Sequence, residues 1–106
     1  MSFIIVYITH SSEANAQKIA NHLIEKKMVA CANIFPIKSA YWWKGQIGND
    51  DEWVSIVKTI PQIWETLQKE IEAIHPYDVP CIMKLEAEAN TAYENWIREN
   101  VDNSSF

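Results

Sequence analysis

Residues 3–8 read Phe-Ile-Ile-Val-Tyr-Ile, apolar at every position and rich in β-branched side chains. Successive side chains of a strand point to opposite faces, so a strand built this way has to be covered on both, as a central strand is. A fold that packs its helices on only one face of a sheet would leave the second face of this strand without cover. That requirement governs the reading of the rest of the chain.

The helices come next. Ser11 or Ser12 caps a helix whose apolar residues Ala16, Ile19, Ala20, Leu23 and Ile24 recur at helical spacing, with Lys26 and Lys27 at its negative C-terminal end. From Ala30 to about Ile47 the chain reads as a long strand, with Cys31, Asn33, Phe35, Ile37, Ser39, Tyr41 and Trp43 on one parity. Pro36 cannot donate to a ladder and requires an edge position or a bulge. The only two glycines, Gly45 and Gly48, place a hairpin turn within residues 44–51, from which Glu52–Thr59 returns antiparallel. Ile60-Pro61 opens a second helix with the stripe Ile63, Trp64, Leu67, Ile71 and Ile74, and Pro76 ends it at His75 by disfavouring helical geometry there. A strand from Cys81 to about Ala87 follows. Thr91-Ala92-Tyr93-Glu94 has capping-box spacing for a last helix, and residues 102–106 are expected to fray.

The order β-α-β-β-α-β with an added C-terminal helix is the split βαβ, ferredoxin-like arrangement. It is an α+β fold in one domain over residues 1–106, with an antiparallel sheet and two helices on one face. The first strand and the Trp42-Trp43 hairpin then leave apolar surface on the uncovered face, which predicts an obligate oligomer. Three sheets facing inward around an axis form one closed solution.

A formal net charge of −5 and no basic cluster larger than Lys26-Lys27 argue against nucleic acid as a partner. The longest apolar run, residues 3–8, is far short of the ~20 that span a bilayer, and no basic leader precedes it, so a soluble cytoplasmic protein is expected. Cys31 and Cys81 have no CxxC partner and are expected to be reduced. GxSxG, HExxH, P-loop and dinucleotide motifs are absent, which predicts a protein that is not an enzyme.

Two places carry chemistry. In His75-Pro76-Tyr77-Asp78-Val79-Pro80-Cys81, the residues His75, Asp78 and Cys81, with Cys31 from elsewhere, are candidate metal donors. The alternative is a stiff connector braced by two prolines. Lys58 is the second place: beside Trp43, His75 and Tyr77 its ammonium suits a small anionic ligand at a subunit junction, and otherwise it snorkels or pairs with Glu52. Tyr41, Trp42, Trp43 and Trp53 suit intersubunit packing, Asn49–Glu52 a solvated turn, and His10 and His22 surface or cap positions.

Ala30-Cys31-Ala32-Asn33-Ile34, Pro36, Ser39, Tyr41, Trp43-Lys44-Gly45, Glu52, Lys58-Thr59, His75-Pro76-Tyr77, Pro80 and Trp96 resemble, in kind and spacing, the pattern of the CutA family of divalent-cation tolerance proteins. The likeness runs from about Ile4 to Ile97. It implies a cytoplasmic homotrimer of ferredoxin-like subunits, similar to PII-like signalling proteins, with the long hairpin pairing between subunits. It also implies a response to copper and other divalent metal ions. Relatives with a copper assignment use a first-strand Cys and a His-His pair before Pro-Tyr; the matching positions here are Ile8 and Ile74, so His75 alone carries over. Cys81 stands where relatives commonly have Glu, and a thiol there favours Cu(I) or zinc. Three readings follow. The first is a metal-responsive trimer with His75, Cys81 and Cys31 as metal contacts. The second is a PII-like module for a small anionic metabolite held by Trp43, Lys58, His75 and Tyr77, and the third a structural trimer anchoring a partner protein.

Overall fold

The computed structural model describes residues 2–103. Strands β1 (Phe3–His10), β2 (Cys31–Trp43), β3 (Gln46–Thr59) and β4 (Ile82–Ala87) form one antiparallel sheet in the order β2-β3-β1-β4. Helices α1 (Glu13–Glu25) and α2 (Trp64–Ile74) interrupt the strands at the ferredoxin-like positions, and α3 (Thr91–Glu99) follows β4. The ends of α1 and α2 lie where the sequence puts them. Ser12 caps α1 by accepting a hydrogen bond from the Asn15 amide, and His75 turns extended with ψ 134° at the end of α2. Pro61 opens a 3-10 turn, Pro61–Ile63, that leads into α2.

Strand register divides the sheet into two unlike faces. Ile4, Val6 and Ile8 of β1, opposite Thr59, Val57 and Ser55 of β3, face α1 and α2 and are buried. With Ile19, Leu23, Leu67 and Ile71 from the helices they form the core. The second face carries Ile5, Tyr7, Phe35, Ile56, Met83 and Leu85, and α3 reaches it where Tyr93 packs on Phe3 and Cys31. Phe35, Met83 and Leu85 are 37%, 49% and 56% exposed. β1 is thus central and apolar on both sides, fully covered on one and, on the other, flanked by the exposed Phe35, Met83 and Leu85.

β2 and β3 are longer than their neighbours. β1 pairs with β3 only from Thr59 to Trp53, so Ile37–Trp43 and Gln46–Glu52 project as a two-stranded arm. An isolated two-stranded ribbon is marginal in water, and this one exposes Trp42, Ile47 and Trp43 by 75%, 65% and 56%. Pro36 sits on β2, which is an edge strand, and the register from Cys31 opposite Lys58 to Trp43 opposite Gln46 runs through it without a bulge.

The arm turns at Lys44-Gly45, both at positive φ (50° and 78°), the geometry of the tight hairpin turn that matches strand twist. Gly48, expected in the turn, lies within β3. A Cβ there would meet the Tyr41 ring at 3.0 Å, so this glycine clears space for a side chain on the facing strand. At Gly45 a Cβ would meet nothing within 4 Å, and only the left-handed backbone opposes substitution. Gly45→Ala is expected to cost about 1 kcal/mol, read as a lowered midpoint in urea unfolding.

Two details depart from expectation. Asn90, not Thr91, is the N-cap of α3; Thr91 is already helical, and Glu94 reaches back to accept the Ala89 amide at 2.7 Å. The C-terminal segment is tied at its start, because Asp102 donates its amide to the Lys27 carbonyl at 2.9 Å. Val101 and Ile97 bury into the core beside it. Asn103 is exposed, and residues 104–106 of the segment expected to fray lie outside the described residues.

Candidate functional site

The 75–81 loop folds over the uncovered face where the arm leaves the sheet. Its anchor is His75, buried and bonded through both ring nitrogens. Nε2–H donates to the Thr9 carbonyl at 2.7 Å, and Nδ1 accepts the Tyr77 amide at 3.1 Å. These bonds fix the neutral tautomer and leave no lone pair for a metal. The ring stacks on His10 with centroids 5.5 Å apart.

His10 is not at the surface. It ends the inward-facing series Ile4, Val6, Ile8, is 1% exposed, and meets Ser55 Oγ through Nε2 at 2.7 Å. Its Nδ1 is buried without a hydrogen-bond partner among the described residues. Burial, and secondarily the neighbouring His75, push its pKa down to about 4, against a smaller opposing pull from Glu52. Period-2 alternation through β1 is the signal that places this histidine inside. His22 is half-exposed and binds Glu70 at 2.6 Å, which Lys26 also reaches at 3.0 Å, joining α1 to α2.

Beyond His75 the loop meets the arm. The Tyr77 hydroxyl donates to Glu52 Oε2 at 2.7 Å, and burial together with that carboxylate raises the phenol's pKa. Tyr41, its ring passing over Gly48, donates to Asp50, which raises its pKa as well. Between loop and arm opens a cleft of about 930 Å³, lined by Tyr7, Tyr41, Trp43, Tyr77 and Cys81 and by the carboxylates of Asp50, Glu52 and Asp78. Lys38, the one basic residue of the lining, directs its ammonium to Asp51 at 3.1 Å. Asp50 and Glu52 therefore stand in a strand with their charges turned into the cleft, not in a solvated turn.

The candidate residues separate into two groups. Trp43, Tyr77 and Cys81 share the cleft, and His75 braces it from behind. Lys58 and Cys31 are elsewhere. They face each other across β2 and β3, six residues along β3 from Glu52, or ~20 Å at the rise of a strand. Lys58 donates to Asn33, and the Cys31 sulfur lies 3.4 Å from the Tyr93 hydroxyl. Burial, helped by the charge of Glu52, raises the Cys81 pKa and holds it as a thiol. Among the described residues no three His, Cys, Asp or Glu side chains converge as a metal site. No described helix is long and apolar enough to cross a membrane.

Residues 4–100 match the CutA1 divalent ion tolerance protein family. The chain is similar to the divalent-cation tolerance protein CutA of Thermotoga maritima, at 44% identity over 92% of this chain and 98% of that protein. Among solved structures it resembles CutA1 from Oryza sativa, with a TM-score of 0.93, 32% identity and 97% and 96% of the two chains covered. It also resembles the Archaeoglobus fulgidus CutA described as a periplasmic divalent cation tolerance protein, with a TM-score of 0.90, 42% identity and 96% and 100% coverage. With family match, identity and fold agreeing over nearly the whole chain, this protein belongs to the CutA1 divalent ion tolerance family.

Proposed function

We propose that the protein is a cytoplasmic homotrimer that takes part in the response to divalent metal ions without catalysing a reaction, and that it meets the ion at the cleft between the 75–81 loop and the arm. The observation that carries this reading is the charge of the cleft: Asp50, Glu52 and Asp78 line it, and its one lysine is paired elsewhere. That balance favours a cation over the anionic metabolite that Lys58 was expected to hold. Copper and zinc are the ions that suit a cysteine sulfur, with Glu52 a hard donor in the same cleft and His75 a brace.

Among the described residues no closed donor set converges, and this reading has the ligand set completed where subunits meet. Assembly is supported by the uncovered sheet face and by the arm, whose exposed Trp42 and Ile47 call for a neighbour. Two free cysteines suit a reducing compartment.

Calorimetric titration with Cu(I), Cu(II) and Zn(II) tests the site. Binding is expected in the parent protein and weakened about tenfold or more in Cys81→Ser and Glu52→Gln, since each removes a ligand. Equal affinity in the parent and both variants would remove the metal from this cleft.

A further inference from the structure

The cleft is larger than a metal ion needs and has room for a larger ligand. At about 930 Å³ it falls within the ~300–1,000 Å³ of small-molecule sites, far more than one hydrated metal ion fills. Four of its walls are aromatic: Tyr7, Tyr41, Trp43 and Tyr77. Aromatic faces do not ligate metals, but they attract ammonium groups and cover methylenes.

The carboxylates point the same way. Asp50 and Glu52 lie two apart on β3, so their side chains share a face and start about 7 Å from each other. Each has one hydrogen-bond partner, a tyrosine hydroxyl, and neither forms an ion pair among the described residues. The tyrosines hold the carboxylates in place without neutralising them. Two fixed negative charges, set apart by the length of a short alkyl chain and walled by rings, complement a molecule with ammonium groups at both ends of a flexible apolar spacer. Trp43 already has one such contact, with the Lys44 ammonium 5.7 Å from its ring centroid.

We propose that this cleft binds an aliphatic polyamine, with ammonium groups on Asp50 and Glu52 and the intervening methylenes against Tyr41, Trp43 and Tyr77. The metal reading shares the cleft but not the ligand chemistry. An ammonium needs one carboxylate per nitrogen, whereas a metal needs several donors on one point.

Calorimetric titration of the full chain with spermidine is the test, run at low and high salt beside a magnesium chloride titration. Saturable spermidine binding is expected, weakened about tenfold or more in Asp50→Asn and again in Glu52→Gln, and weakened by salt, with no comparable magnesium isotherm. Asp50→Asn leaves the Tyr77–Glu52 bond in place and guards against loss of fold; Trp43→Ala is expected to weaken spermidine binding as well. Absent spermidine binding, or binding equal in parent and both carboxylate variants, would overturn the proposal. So would equal binding of spermidine and magnesium, which would mark unspecific charge attraction. The copper and zinc titrations stand apart from all these outcomes, because a retained Cys81-dependent metal isotherm beside failed spermidine binding would end this inference alone.

Discussion

Leu85→Glu is expected to dissociate the protein into subunits at micromolar concentration and to lower its melting temperature sharply. Leu85 lies on the uncovered face of β4, opposite Ile5 of β1, and is 56% exposed in the single chain, with Met83 beside it at 49%. If copies bury this face against each other, each subunit brings one buried glutamate into the contact. An unpaired buried charge costs several kcal/mol even after relaxation, and a closed ring of three repeats that cost three times. Size-exclusion chromatography with light scattering reads the result. Lys69→Glu, on the exposed part of α2, is the control that changes charge without touching this face. An assembly that survives Leu85→Glu unchanged would mean that the face is not the contact.

The second large effect is a loss of stability in mild acid that depends on His10. In the unfolded chain this imidazole takes a proton near its ordinary value of 6.5, and in the fold only near 4. Above pH 6.5 both states are neutral at this residue and its contribution to stability is complete. As pH falls from 6.5 to 4, protonation favours the unfolded chain alone, and about 3 kcal/mol is lost over that window. The groups around the ring do not relieve the cost. Ser55 on β3 brings no counter-charge, the stacked His75 adds to the lowering, and the pull of Glu52 is smaller than the effect of burial. Urea unfolding at pH 7 and pH 4.5 is expected to show this loss in the parent and a markedly smaller one in His10→Gln. Equal losses in both proteins would place the acid sensitivity elsewhere.

His10 also shows where the sequence speaks clearly and where it does not. Everything set by local periodicity can be read from the chain: the apolar run of β1, the stripes of α1 and α2, the stop of α2 at His75 before Pro76, and from their order the ferredoxin-like sheet. His10 follows the same alternation, but a histidine at the end of a strand reads as polar surface unless its partner is known. That partner, Ser55, is 45 residues away. Glycine misled in a related way. Gly48, three residues after Gly45, suggests one turn, while its use is to let the Tyr41 ring cross the ladder toward Asp50. Donor counting along residues 75–81 leads to the loop that borders the cleft, but not to its bonding. The number of imidazole nitrogens is visible in sequence, but their occupation by the Thr9 carbonyl and the Tyr77 amide depends on tertiary structure. Lys58 and Cys31 fail as cleft residues because register, which no single strand reveals, sets them ~20 Å from Glu52.

The proposed function requires that this chain does not stand alone: its exposed sheet residues and its tryptophan-bearing arm need neighbours, and the proposed metal contact draws on donors beyond the described residues of one copy. Sedimentation equilibrium of the parent protein at about 1 μM, under non-denaturing conditions and with folding verified by circular dichroism, tests that claim most directly. The account predicts a single species of about three times the 12.3 kDa chain mass, and a folded species at 12.3 kDa would contradict it.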